Sequence, residues 1–199
     1  MNSLSKYYAS FSGKHQTDNT GNTMNQLLLN PGQLTLAQLR TVFFNGVQLN
    51  IAEPAWGCVK SAQEVVQAKV DSGEIVYGVN TGFGRLAQKH IQPELLTELQ
   101  HNLILSHATG VGNYIDNATV RLVLLLKVNA LLQGISGIRR DVLELLIAML
   151  NADILPAIPE KGSVGASGDL APLAHMSLPI IGEGMVHVKG QLIESHKAL

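Results

Sequence analysis

The chain has 199 residues, 46% of them hydrophobic, enough for one sizeable core in one or at most two domains. Its 14 Lys and Arg against 15 Asp and Glu give a formal net charge of -1 and no basic stripe, and its longest apolar runs, 122–126 and 145–150, fall far short of the roughly 18 residues of a membrane span; neither nucleic acid nor a membrane is an expected partner. The single Cys58 can form no internal disulfide and no apolar signal segment follows the start, so a reducing, cytoplasmic compartment is expected.

Residues 1–26 are rich in Asn, Ser, Thr and Gly and read as a flexible leader, with order expected from near Leu34. The stretch from Thr35 reads as a short helix closed by Asn45-Gly46, and 47–51 alternates like a strand. Val59, Ala62, Val65, Val66 and Val70 then repeat at helical spacing over 54–72, with Pro54 suited to the first turn and Gly73 to the stop. Residues 74–80 carry β-branched and aromatic side chains and read as a strand delivering the glycine-rich loop Thr81-Gly-Phe-Gly84. Three helices are predicted next: 93 to about 107, ended by Gly110; Asp116 as N-cap through 133, ended by Gly134; and Ser136 as N-cap through 151. The middle one is apolar on most faces, which implies burial. Beyond Pro156 and Pro159 lies a glycine-rich run, then an apolar helix over about 170–181, and a small hairpin turning at Lys189-Gly190.

The run Gly162-Ser-Val-Gly-Ala-Ser-Gly-Asp169 sits directly ahead of a helix N-terminus, where unpaired N–H groups favour negative charge. On composition alone it is an anion nest or a capped turn; it lacks the lysine of a phosphate loop. The order Ala166-Ser167-Gly168 also permits another chemistry. If the tripeptide bends tightly, the Gly168 nitrogen can attack the Ala166 carbonyl carbon, an approach that a residue without Cβ makes easy. Loss of one water closes a five-membered ring, and loss of a second from the Ser167 hydroxyl leaves an exocyclic methylene, a 4-methylideneimidazol-5-one. The fourteen residues Gly162-Ser-Val-Gly-Ala-Ser-Gly-Asp-Leu-Ala-Pro-Leu-Ala-His175 resemble the signature of the aromatic amino acid ammonia-lyase family, in which the Ala-Ser-Gly triplet becomes this electrophilic cofactor. By that resemblance Ala166, Ser167 and Gly168 form the group, and Asp169 aids cyclisation.

Tyr77-Gly-Val-Asn-Thr-Gly-Phe-Gly-Arg85 resembles a second family segment. Read alone, Gly82 to Ala87 fits a dinucleotide GxGxx[GA], but a Pro93-led helix stands where a second strand with an acidic residue is needed, so no nucleotide is expected. The resemblance makes Tyr77 the general base for the substrate β-proton and sets Gly84 against the substrate; without it Tyr77 is a half-buried strand tyrosine. His107 closes Asn102-Leu-Ile-Leu-Ser-His107-Ala-Thr-Gly-Val-Gly112, where a lone histidine ordinarily caps or packs. The segment resembles the histidine branch of the family, in which this imidazole contacts the substrate ring. His101 and His107 have no carboxylate or thiol at ligand spacing and HExxH is absent, so no metal is expected; a hydrolase triad of Ser167, Asp169 and His175 lacks its GxSxG elbow.

The resemblance covers about Leu34 to the end. It implies a mainly α fold, the N-terminal part of a fumarase/aspartase-like helical bundle with short strands and a hairpin, and divides the chain into the leader 1–26 and a cofactor-bearing domain 27–199. It further implies elimination of ammonia from L-histidine to give trans-urocanate, and a homotetramer in the complete enzyme. Family members run to well over twice this length. The expectations are therefore a chain cut before the rest of the bundle, inactive alone, with apolar faces bared on the helices at 116–133 and 138–151. Two alternatives stay open: a tyrosine or phenylalanine lyase or aminomutase of the same family, and a noncatalytic interaction module.

Overall fold

The computed structural model describes residues 25–81, 93–163 and 170–199. It is mainly helical with short strands. Strand β1 (Asn25–Leu29) starts earlier than the order expected near Leu34 and pairs in parallel with β2 (Val47–Ile51), Leu27 facing Leu49. The three leucines 27–29 form an apolar run too short, and too close to the polar leader, for composition to separate it. Between the two strands lies α1 (Leu36–Phe44), whose start is a capping box: the Gln38 N–H donates to Thr35 Oγ1 and the Thr35 N–H to Gln38 Oε1. The sheet is fastened from the side by Asn151, whose amide accepts the Leu49 N–H at 2.6 Å and donates to the Leu49 carbonyl at 3.1 Å, standing in for a third strand.

Helix α2 (Glu53–Asp71) carries Pro54 in its first turn, as expected. The strand expected over 74–80 is a turn. Asn80, 4% exposed, accepts the Val76 N–H and donates to the Glu74 carbonyl, each at 2.8 Å, so a side chain satisfies the backbone groups that a neighbouring strand would have taken.

The core is built on α4 (Asn117–Leu131) and α5 (Arg140–Asn151), which follow α3 (Pro93–His107). Asp116 caps α4 as predicted, accepting the Thr119 N–H at 2.9 Å and the Thr119 hydroxyl at 2.7 Å; these bonds hold its carboxyl below the usual carboxylate range. Helix α5 starts at Arg140 and not after a Ser136 cap, because Gly137, which would be its first residue, takes a left-handed conformation (φ 70°) that a helix cannot include. Most apolar side chains of the two helices are covered, although Leu126 of α4 remains 45% exposed. Val120, Leu124, Leu125 and Val128 of α4 and Leu143, Leu146 and Leu150 of α5 are buried in one cluster with Leu29, Val42 and Val59. Elements N-terminal and C-terminal to the pair cover faces that were expected to await a partner. Arg121 joins α4 to the turn after α5, donating from Nε and Nη2 to Asp153 Oδ1 at 2.9 and 2.7 Å.

Three short strands went unpredicted because they are Pro- and Gly-bearing pieces of two to four residues. Strand β3 (Val111–Tyr114) pairs antiparallel with β5 (Pro159–Lys161), and β4 (Leu155–Pro156) with β6 (Met185–Val188). The hairpin of β6 and β7 (Gln191–Glu194) is as predicted, with Lys189 and Gly190 both at positive φ (50° and 78°), the geometry of a tight two-residue turn. The helix expected over 170–181 divides into α6 (Leu170–Ser177) and a 3₁₀ turn (Leu178–Ile181), since Pro179 has no N–H to continue the ladder. A short α7 (Ser195–Ala198) ends the chain, and no helix among the described residues is long and apolar enough to cross a membrane.

Candidate functional site

Helices α3 and α6 pack side by side and leave a cleft of about 260 Å³ between them and the turn at 77–80. Gly78, Leu103, Ile104, His107, Leu173 and Ser177 line it. The wall is mostly apolar, and two of its polar side chains are engaged by backbone: Gln100 Nε2 donates to the Val79 carbonyl at 2.7 Å and Ser177 Oγ to the Leu173 carbonyl at 2.8 Å. The first of these bonds also ties the Tyr77 turn to α3. Such a cleft suits a flat ring met by one directional polar group.

His107 is that group. It is half-buried at the C-terminal end of α3, and its ring is oriented by the Leu103 carbonyl, which Nδ1 reaches at 2.6 Å. A carbonyl can only accept, so Nδ1 carries the proton. Tyr77 stands next to Gly78 at the cleft edge and is 63% exposed, unlike the half-buried strand tyrosine that its sequence context implies. Ile75, Leu105, Leu170 and Leu173, on the elements around the cleft, are exposed as well.

Gly84, Ala166, Ser167, Gly168 and Asp169 lie outside the described residues. Their flanks are described. Strands β3 and β5 run Val111 opposite Lys161, which brings Gly110 beside Gly162, and a Cβ on Gly162 would meet both the Gly110 Cα and the Ala171 Cβ at 3.1 Å. On the far flank, His175 accepts the Gly110 N–H on Nε2 at 2.9 Å. Burial holds the His175 imidazole below the usual histidine range, in the neutral form that accepting requires. The structure thus brings Tyr77's turn, His107 and the start of α6 to one cleft. Reading the sequence assigned no role to Gln100, Leu173, Ser177 or the Gly110–His175 bond, although Gly110 and His175 each stand inside a motif that it singled out. No group of three or more His, Cys, Asp or Glu able to hold a metal occurs among the described residues.

Comparison with known proteins shows what the chain is similar to. The chain is 50% identical over 176 residues to the histidine ammonia-lyase of Shewanella sediminis, covering 88% of this chain and 34% of that protein, and 51% identical over 178 residues to that of Pseudomonas fluorescens, covering 88% and 35%. It spans about a third of the length of these relatives. Among solved structures it superimposes on ergothionase of Treponema denticola with a TM-score of 0.83 at 34% identity, covering 87% of this chain and 35% of that one. Histidine ammonia-lyase of Trypanosoma cruzi gives 0.79 at 34% identity, covering 87% and 33%. The sequence pattern of the aromatic amino acid lyases matches residues 34–199, five-sixths of the chain, and the chain belongs to that family.

Proposed function

We propose that this chain forms the N-terminal third of a histidine ammonia-lyase, contributing to the non-oxidative elimination of ammonia from L-histidine to give trans-urocanate. The observation that carries this reading is His107, a half-buried, oriented imidazole in a mostly apolar cleft beside the start of α6. An imidazole partner favours a polar aromatic ring over a phenyl ring, since a site built to hydrogen-bond rejects an analogue that leaves its polar group unpaired.

In this reading Ala166, Ser167 and Gly168 cyclise to a methylidene-imidazolone with the aid of Asp169, and no metal or nucleotide takes part. The described flanks fit such a group, for Gly162 and Ala171 approach too closely to admit another side chain, which restrains the two ends of the segment. Once formed, the heterocycle supplies an electrophilic methylene that turns the substrate amine into a better leaving group. The remaining roles fall to side chains of this chain. His107 holds the substrate imidazole, the apolar cleft wall excludes water from it, Gly84 lets the substrate approach the backbone, and Tyr77 takes the proton from the β-carbon. The remaining two-thirds of the polypeptide supplies the carboxylate site and the rest of the bundle, in a cytoplasmic homotetramer with shared active sites. Within this chain, the leader ends before β1 at Asn25, and the rest is the cofactor-bearing domain.

The test is the near-ultraviolet absorbance of urocanate when L-histidine is added to the polypeptide completed to the length of its relatives. Turnover of histidine supports the reading; turnover of tyrosine or phenylalanine alone transfers the site to the other branch, whose tyrosine aminomutase structure also superimposes, at a TM-score of 0.81 and 31% identity. The 199-residue chain by itself is expected to show none.

A further inference from the structure

We propose that His175 is a positioning residue: by accepting the Gly110 amide, its imidazole pins the turn that follows His107 onto helix α6. The functional meaning of the pin rests on the lyase reading, but its geometry does not.

Two residues, Ala108 and Thr109, separate His107 from Gly110, and the Thr109 N–H donates to the His107 carbonyl at 2.8 Å, so the turn from the helix end to Gly110 is short and tied to His107 itself. At Gly110 three parts of the chain converge. The His175 Nε2 takes its N–H at 2.9 Å across 65 residues of sequence; a Cβ there would meet His175 Nε2 and the Pro159 Cβ at 3.1 Å; and Gly162 would touch its Cα at 3.1 Å if it carried a Cβ. Gly162 and His175 stand on opposite sides of residues 164–169 in sequence. The same backbone point therefore meets both flanks of the segment that contains Ala166, Ser167 and Gly168, and that point lies three residues from the side chain proposed to hold the substrate ring. A displacement of Gly110 moves His107 relative to α6, whereas the cleft wall of Leu103 and Leu173 is apolar and gives no direction. The accepted hydrogen bond also requires a bare Nε2, hence the proton on Nδ1 of His175.

The experiment uses the 199-residue chain and two variants, His175→Phe, which keeps a ring but has no acceptor, and His175→Gln, whose amide oxygen reaches the position of Nε2. Exchange of the Gly110 amide is measured against the α4 core amide of Leu124 as an internal ratio, together with the ¹⁵N shifts of the His107 and His175 rings. The expected result is a Gly110-to-Leu124 exchange ratio raised about three- to tenfold in the Phe variant and largely restored in the Gln variant. The His107 ring shifts should depart from the Nδ1-protonated pattern with Phe and return with Gln, and parent His175 should itself read as Nδ1-protonated. An unchanged ratio with Phe, equal ratios for Phe and Gln, or His107 shifts indifferent to both substitutions would overturn the proposal; a variant that loosens globally raises both amides and is judged by the same ratio. None of these signals depends on turnover or on the state of Ser167, so the pin and the lyase reading fail separately.

Discussion

Replacing Gly134 by Ala isolates how closely α2 is seated on the linker between α4 and α5. Two terms contribute. Gly134 is left-handed at φ 70°, a conformation that costs an L residue roughly 1–2 kcal/mol. An added Cβ would also lie 2.5 Å from the Cys58 carbonyl carbon and 2.6 Å from its Cβ, inside van der Waals contact with backbone that cannot rotate away. Forced shifts of packed elements cost typically about 1–3 kcal/mol, so the total is about 2–5 kcal/mol, a large part of the ~5–15 kcal/mol that stabilises an ordinary domain. Gly182→Ala is the control: φ is 80° and nothing lies within 4 Å of the built Cβ, so only the left-handed term of roughly 1–2 kcal/mol remains. Urea unfolding followed by far-ultraviolet circular dichroism gives both values. If the two variants lose the same stability, the close seating of α2 is refuted.

Leu124→Ala should cost about 2–5 kcal/mol in the same assay, because Leu124 is fully buried in the main cluster and its neighbours on α5 and the β1–β2 sheet are fixed by other contacts. Asp116→Ala should cost about 1 kcal/mol by loss of the α4 cap. The Asp116 carboxyl is held below its ordinary value of 3.8, so its share of stability is complete above that pH and is lost as pH falls through the lower folded value; the melting temperatures of parent and variant should converge only on that acid limb. In the completed polypeptide, His107→Leu should lower the kcat/KM preference for histidine over phenylalanine by at least about tenfold.

How much could be seen in advance divides along physical lines. Thr35, Asp116, Pro54 and the Lys189-Gly190 turn act through their own nearest neighbours, and helix ends and the hairpin sit where these residues place them. The errors arise where a distant group decides. Residues 74–80 have strand-forming side chains, yet Asn80 folds back and satisfies their backbone; Ser136 has the chemistry of a cap, yet Gly137 is turned left-handed where it meets Val66 of α2. The burial of α4 and α5 depends on β1 and β2, the first of which merges in composition with the leader. At the site, the motif around His107 marks the residue, whereas the partners that orient it, Leu103, Gly110 and His175, become visible only once α3 and α6 lie together. Tyr77 shows the converse, since its motif points to it while nothing in that motif reveals its exposure.

The central claim is that residues 166–168 close into an alkene-bearing ring. The most direct measurement is the mass of the tryptic peptide between Lys161 and Lys189, taken from the polypeptide completed to the length of its relatives. A deficit of two waters, about 36 Da by the dehydration chemistry, is the predicted result. A peptide at full mass would contradict it.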